Sequence, residues 1–419
     1  MDRKVSLPNK IKFTRKRLSI PKCEHFLDFI FSSGLLQDVA YGVTNLKYDS
    51  GETQTVAKAI ITSNYSHTIA LYLESCNKNL FEPLSESSLL RILNTIKPSK
   101  KKCLAGLNDT AAAGMNGFTT LEQIASKYKN KATVEKHERS KRYLKTPFQL
   151  HCSDSDDVTA THSSLFALSD PGKKELQTSV NLCDTVCEEC NELCEVLDEM
   201  NNLGVVEESL LYDIKVASAS IIDYMKHLMR DFQQKKAKVD AYKQLDNKTG
   251  FWLKDFDQKV LPVRFREGQK EYFGKKGMSM HIDVFFLKQN DELKKHVYFT
   301  NIYRCDQGVS SVISIADTVL NQFRIDEPEV CRLFAKSDNA NCYHANFSAE
   351  SMHNLCHSKG LQLLRYDFNE PCCGKDQCDR ESAAAKTIMR SFVDAGNDLV
   401  SAEDLEKAIK YVKGVCNEN

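Results

Sequence analysis

The stretch VCRLFAKSD, Val330 to Asp338, is a short and mostly apolar run that ends on a carboxylate, as a buried strand delivering an acid at its tip would. Its neighbours read as strands and helices in a definite order. Upstream, Gly250 to Asp257 is a strand and Lys259 to Lys276 a long polar connection. Met278 to Leu287 and His296 to Tyr303 are two more strands, the second rich in aromatic and β-branched residues, and Ser310 to Phe323 is a helix. Downstream, Glu350 to Lys359 reads as a helix and Leu361 to Phe368 as a fifth strand; the loop Asn369 to Cys378 leads into a helix starting near Asp379. The order is β-β-β-α-β-α-β-α.

That is the element order of the RNase H fold, so the expected class is α/β with a mixed five-stranded sheet and flanking helices. In this fold the first strand, the end of the fourth and the last helix each bring one carboxylate to a shared site. Here those positions hold Asp255, Asp338, and Asp379 or Glu381. Three hard oxygen donors suit a pair of Mg²⁺ or Mn²⁺ ions with coordination sites left for water and phosphate. Each acid also has an ordinary role: Asp257 shares the side of Asp255, Asp338 fits an Asp/Asn turn, and Asp379 fits a helix N-cap. Asp283, on a neighbouring strand, is the alternative first acid, and His344 reads as a packed histidine before a substrate-positioning one.

Around this core the 419-residue chain divides into a basic arm and helical region over 1–128, a basic linker with a Cys-containing helical region over 129–246, and the catalytic core over 247–419. The half before the core is expected to be mainly α. In the first region Phe26 to Leu36, Ser66 to Cys76 and the run after Ser85 have helical spacing, and the last two outline a helix-turn-helix. Formal charge sums to zero but is unevenly placed: Met1 to Lys22 has eight Lys and Arg against Asp2, and Lys127 to Lys145 has eight against two acids. Asp184 to Asp213 has ten acids and no base. The basic blocks fit DNA, and equally fit solvated faces. Cys187 and Cys190 have the spacing of a zinc half-site that His151, Cys152 or His162 could complete, while the one-sided series Cys183, Cys187, Cys190 and Cys194 fits a helix core stripe.

No apolar run is long enough for a membrane span and no secretion signal opens the chain, so a soluble intracellular protein with reduced thiols is expected. Phosphate-loop, H-E-x-x-H and G-x-S-x-G patterns are absent from the sequence.

The stretches LLQDVAYG, PLSESSLLRIL, KCLAGLND, FALSD at Asp170, FWLKDFDQKVLP with Arg266 and Glu267, FGKKGMSMH, KSDNANCYH and GKDQCDRESAAAK resemble the proteins of an animal group of eukaryotic cut-and-paste DNA transposons. The resemblance covers most of the chain. It implies a nuclear, metal-dependent DNA strand-transfer activity with Asp255, Asp338 and Asp379 as the acids, or a host protein descended from one, and leaves homo-oligomerisation open. The group has a Cys/His-rich pattern where Ser179 to Cys183 offers only Cys183, and it continues beyond the last helix while this chain stops at Asn419. These departures match the alternative expectation: a decayed, domesticated or truncated copy that binds DNA or protein without catalysis. A cellular RNase H-like nuclease acting on RNA or hybrids is the third.

Overall fold

In the computed structural model, residues 18–411 are described apart from 34, 48–50, 62, 101–108, 129–130, 146–147, 149–151, 153–162, 171, 174–187, 203, 205–206, 304, 372 and 374–375. The C-terminal sheet is built from β4 (Thr249–Phe256), β5 (Ser279–Gln289), β6 (Glu292–Ile302), β7 (Arg332–Ser337) and β8 (Gln362–Phe368). Its strand order is β6-β5-β4-β7-β8; β5 and β6 pair antiparallel, whereas β4, β7 and β8 are mutually parallel. This is the RNase H-like fold.

Alternation along β4 explains why both faces of the sheet are covered. Phe251 and Leu253 point into one core with Met280, Ile282 and Phe334, while Trp252 points into the other with Phe285, Leu333 and Ala335. The first core is closed by α13 (Gln377–Asp394) through Cys378, Ala385, Met389 and Phe392, and by α14 (Ala402–Ile409) through Leu405 and Ala408. The second is closed by α10 (Val309–Asp326) and α12 (Asn346–Ser358), the latter preceded by the single turn α11 (Asn341–His344). Strands buried on both sides become near-continuous apolar runs, which is how VCRLFAKS reads. β6 is longer than expected. It starts right after Asn290 and Asp291, whose φ values of 52° and 64° are those of a tight hairpin turn, and as an edge strand it tolerates Lys294 and Lys295.

Before the sheet lie α4 (Asp109–Lys127), α5 (Lys131–Lys145), α6 (Ser164–Leu168), α7 (Glu188–Asn201) and α8 (Glu208–Lys243). They share a core of Phe118, Leu121, Phe148, Leu193, Ile221 and Met225 among others. The expected basic linker is therefore the helix α5. Its Lys136 and Arg139 pair with Glu199 and Glu192 of the acidic α7, each at 2.5 Å, so the two oppositely charged blocks partly neutralise one another.

The first region departs from the all-helical expectation. α1 (Ile20–Ser32) ends before Leu36, which opens β1 (Leu36–Lys47); β1 pairs antiparallel with β2 (Thr53–Ile61), and β2 pairs with the short β3 (Ser99–Lys100). α2 (Tyr65–Lys78) and α3 (Glu86–Ile96) cover the last two runs with helical spacing. The β1–β2 hairpin lies beside α13. No helix among the described residues is long and apolar enough to cross a membrane.

Candidate active site

The register of β4 and β7 pairs Leu253 with Lys336 and Lys254 with Ser337. One step further along both chains, Asp255 and Asp338 are neighbours on the same side, because residues opposite one another in a sheet project to one face. α13 covers that face, and Asp379 is in its first turn. Burial pushes the Asp255 carboxyl well above the usual carboxylate range, and the charges of Asp338, Asp379 and Asp376 push it further. Asp338 is also raised, by burial, with the Ala340 N–H, His344 and His281 holding the rise back. Asp255 thus feels the charges of acids on the neighbouring strand and on the helix that covers this face.

Each acid is held locally as well. Asp338 Oδ1 accepts the Ala340 N–H at 3.1 Å, so the Asp/Asn turn is real and coexists with its place beside Asp255. Asp376, not Asp379, is the N-cap of α13: its Oδ1 accepts the Cys378 N–H at 3.2 Å, while Asp379 Oδ2 accepts the Asp376 N–H at 3.1 Å, completing a capping box. Asp376 is a fourth acid that sequence reading missed, and Lys238 of α8 stands 3.9 Å from it. The spacing of Asp376 and Asp379 ahead of an Ala-rich run was the available signal. Glu381 is engaged elsewhere, by Lys295 of β6 and by Gln377 Nε2, both at 2.5 Å.

Of the remaining candidates, His344 acts on Asp338 through its charge, and the others that are described are engaged elsewhere. Asp257 is ion-paired with Lys386 at 2.8 Å. Asp283 is fully buried and pairs with Lys254 in the β4–β5 register, which puts it on the opposite face from Asp255; it accepts from Trp252 Nε1 and meets His281 Nδ1, each at 2.8 Å. His344 is exposed rather than packed, with Nδ1 3.1 Å from the Ala340 carbonyl oxygen. Cys190 is a buried core thiol 3.3 Å from the Tyr143 hydroxyl, and Cys152 is buried in the same core. Cys187, His151 and His162 lie outside the described residues.

Two lysines beneath the site were invisible in the sequence because apolar strands ordinarily exclude them. Lys254 is buried with its ammonium 4.3 Å from the Trp252 ring and 4.4 Å from the Tyr366 ring, and burial pushes it down to about 7. Lys336, on the face of Asp338, donates to the Gln234 carbonyl at 3.3 Å and is pushed down to about 8, by burial and then by Lys238.

Among the described residues no three His, Cys, Asp or Glu side chains lie close enough together to hold one ion. The chemistry of the set nevertheless suits a hard cation: the donors are carboxylate oxygens, and two of them are raised by burial.

No protein-family model and no curated protein matches the chain. Among solved structures it is similar to the crystal structure of a pre-cleavage Mos1 transpososome, with a TM-score of 0.22 and 9% identity over 52% of this chain and 75% of that one. It is also similar to the mariner Mos1 paired end complex with Mg, with a TM-score of 0.20 and 11% identity over 54% of this chain and 76% of that one. The strand order and pairing alone define the fold.

Proposed function

We propose that this chain is a transposase-like protein that cleaves and joins DNA strands, with Asp255, Asp338 and Asp379 as ligands for two Mg²⁺ or Mn²⁺ ions. What supports the reading is that Asp255, Asp338 and Asp379 come from two adjacent parallel strands and from the helix over one face, and that the latter two raise Asp255 electrostatically. Bound there, the ions would lower the pKa of the attacking water or hydroxyl and offset charge on the leaving oxygen. The chain's own part is positional. β4 and β7, buried on both faces, fix Asp255 and Asp338 side by side. The capping box fixes Asp379 at the head of α13, and the Asx turn fixes the rotamer of Asp338. Such a protein would work on nuclear DNA.

Asp338→Asn should abolish Mg²⁺- or Mn²⁺-dependent cleavage of a DNA duplex, a loss of at least about 10³-fold as when a main electrostatic contributor is removed. Cleavage at the wild-type rate sinks the proposal. Running DNA, RNA and hybrid substrates side by side separates a DNA transposase from a cellular nuclease. A second reading, a transposon-derived binding protein without catalysis, is favoured by the absence, among the described residues, of any three donors close enough for one ion. It predicts no cleavage with either metal by wild type and variant alike.

A further inference from the structure

The β4–β5 connection leaves the sheet two residues after Asp255 and returns at Met278, where Val260 and Met278 exchange both backbone hydrogen bonds at 2.8 Å. Its root is pinned a second time: Val263 pairs with Leu399, and Asp398 accepts from the Phe265 N–H at 3.0 Å and from Arg264 at 3.1 Å. Beyond this clamp the chain forms the short turn α9 (Gln269–Tyr272) and doubles back at Gly274, whose φ of +71° few other residues adopt readily. The result is an arm anchored at its base, leaving β4 just past Asp255 and clamped to Asp398 and Leu399 beyond the C-terminal end of α13.

The arm's composition is unlike that of a solvated loop. Tyr272 and Phe273 are 66% and 70% exposed, with their rings 5.3 Å apart at 88°, and Phe265 is exposed as well. Lys259 to Lys276 contains six Lys and Arg against two Glu, in a chain whose formal charge is zero. Arg264 is tied to Asp398 and Lys275 to Glu267, while the exposed Lys259, Arg266, Lys270 and Lys276 are in no ion pair among the described residues. Cations and rings already meet on the arm, with Arg266 5.8 Å from the Phe265 ring and Lys275 5.5 Å from the Tyr272 ring. Exposed rings interleaved with cations match one kind of polymer: unpaired nucleotides, whose bases offer faces for stacking and whose phosphates offer charge. A duplex hides its base faces and can use only the cations.

We infer that this arm is a binding platform for single-stranded DNA, stacking unpaired bases on Tyr272 and Phe273 and holding the phosphates with Arg266, Lys270 and Lys276, on the connection that begins just after Asp255. The substrate class rests on the proposed function; the surface does not depend on catalysis. In that setting the arm would hold the strand freed when DNA is opened or nicked at the acids.

The test is fluorescence anisotropy of the full chain with a labelled single-stranded oligonucleotide and with its duplex, in EDTA so that cleavage cannot contribute. Tyr272→Ala/Phe273→Ala should weaken single-strand binding by about tenfold or more and duplex binding by less than about twofold. Tyr272→Trp/Phe273→Trp should retain it. Lys270→Gln/Lys276→Gln should weaken both and lower the single-strand salt slope by roughly one. The rings are exposed, so an unchanged thermal melt is expected and serves as the folding control. Unchanged single-strand affinity in the Ala variant overturns the inference, as does an equal loss on both substrates. A variant that binds DNA normally but sediments as a smaller species would make the arm a contact between copies, which also overturns it. Because binding is read without metal, a chain that binds through the arm and never cleaves refutes the proposed activity and leaves the platform standing.

Discussion

Asp255 is the residue on which electrostatics concentrate. Burial and three neighbouring carboxylates disfavour its charge, so the cluster destabilises the metal-free protein when ionised. Asp255→Asn removes the charge at similar size. It should raise the melting temperature of the EDTA-treated protein by a few degrees, on the order of 1 kcal/mol. The upward shift that millimolar Mg²⁺ or Mn²⁺ gives the wild type should vanish in the variant, because an ion that binds only the native state stabilises in proportion to its occupancy. A variant that melts no higher than wild type without metal removes the repulsion argument; one that keeps the full metal shift removes Asp255 as a ligand. The positions of Asp255, Asp338 and Asp379 were legible because a strand tip and a helix start are local features. Lys254 and Lys336 were not, since their roles follow from which strands lie side by side, whereas Asp376 stands at the same helix start as Asp379 and was within reach of the sequence.

Among the elements, those of the sheet were the easiest to read, and their ends moved by only a few residues where turn chemistry extended them. The β1–β2 hairpin was missed although LQDVAYGVTNLK and TQTVAKAII are rich in β-branched residues and flank Gly51, whose φ is 88°. Helical spacing in Phe26 to Leu36 masked it, because Leu36 fits either period. The crossing of α4 and α8 was beyond reach for a different reason: it depends on glycines inside a helix, which sequence alone reads as weakness. A Cβ on Gly117 would sit 2.7 Å from the Ala217 carbonyl oxygen, and one on Gly114 would sit 2.4 Å from Tyr224 Cβ. Helix propensity alone predicts that Gly114→Ala/Gly117→Ala gains about 1–2 kcal/mol. Forcing the helices apart should outweigh that gain and leave a net loss of about 2 kcal/mol in chemical denaturation. A net gain would mean that the two helices do not meet at these glycines.

At the scale of the molecule, α8 links the two halves, since Ile221 and Met225 lie in the helical core while Ala241, and Leu245 just beyond the helix, lie in the sheet's core. Glu370, in the loop after β8, fastens the same helix from the other side. Its buried carboxylate meets His227 Nδ1 at 2.6 Å and accepts Arg230 Nε at 2.9 Å, while Arg230 also donates to the Ala167 carbonyl of α6 at 2.8 Å. Burial alone would raise the Glu370 carboxyl, but the hydrogen bonds from His227 and Arg230 outweigh it and the net shift is downward. A carboxylate depressed in the folded state contributes stability that is complete above its unfolded pKa of about 4.3 and is lost as pH falls through the folded value. Glu370→Gln should therefore cost about 3 kcal/mol near neutral pH, as when one partner of a buried ion pair is removed, and the gap to wild type should narrow below about pH 4. The chain's single tryptophan, Trp252, reports on the sheet alone, whereas far-ultraviolet circular dichroism is dominated by the helices. In wild type the denaturation curves from the two probes should coincide, and in Glu370→Gln they should separate, because the cores lose the charged contact through which they unfold together. Coincident curves and a penalty that does not change with pH would mean that apolar packing along α8, not this ion cluster, couples the two halves.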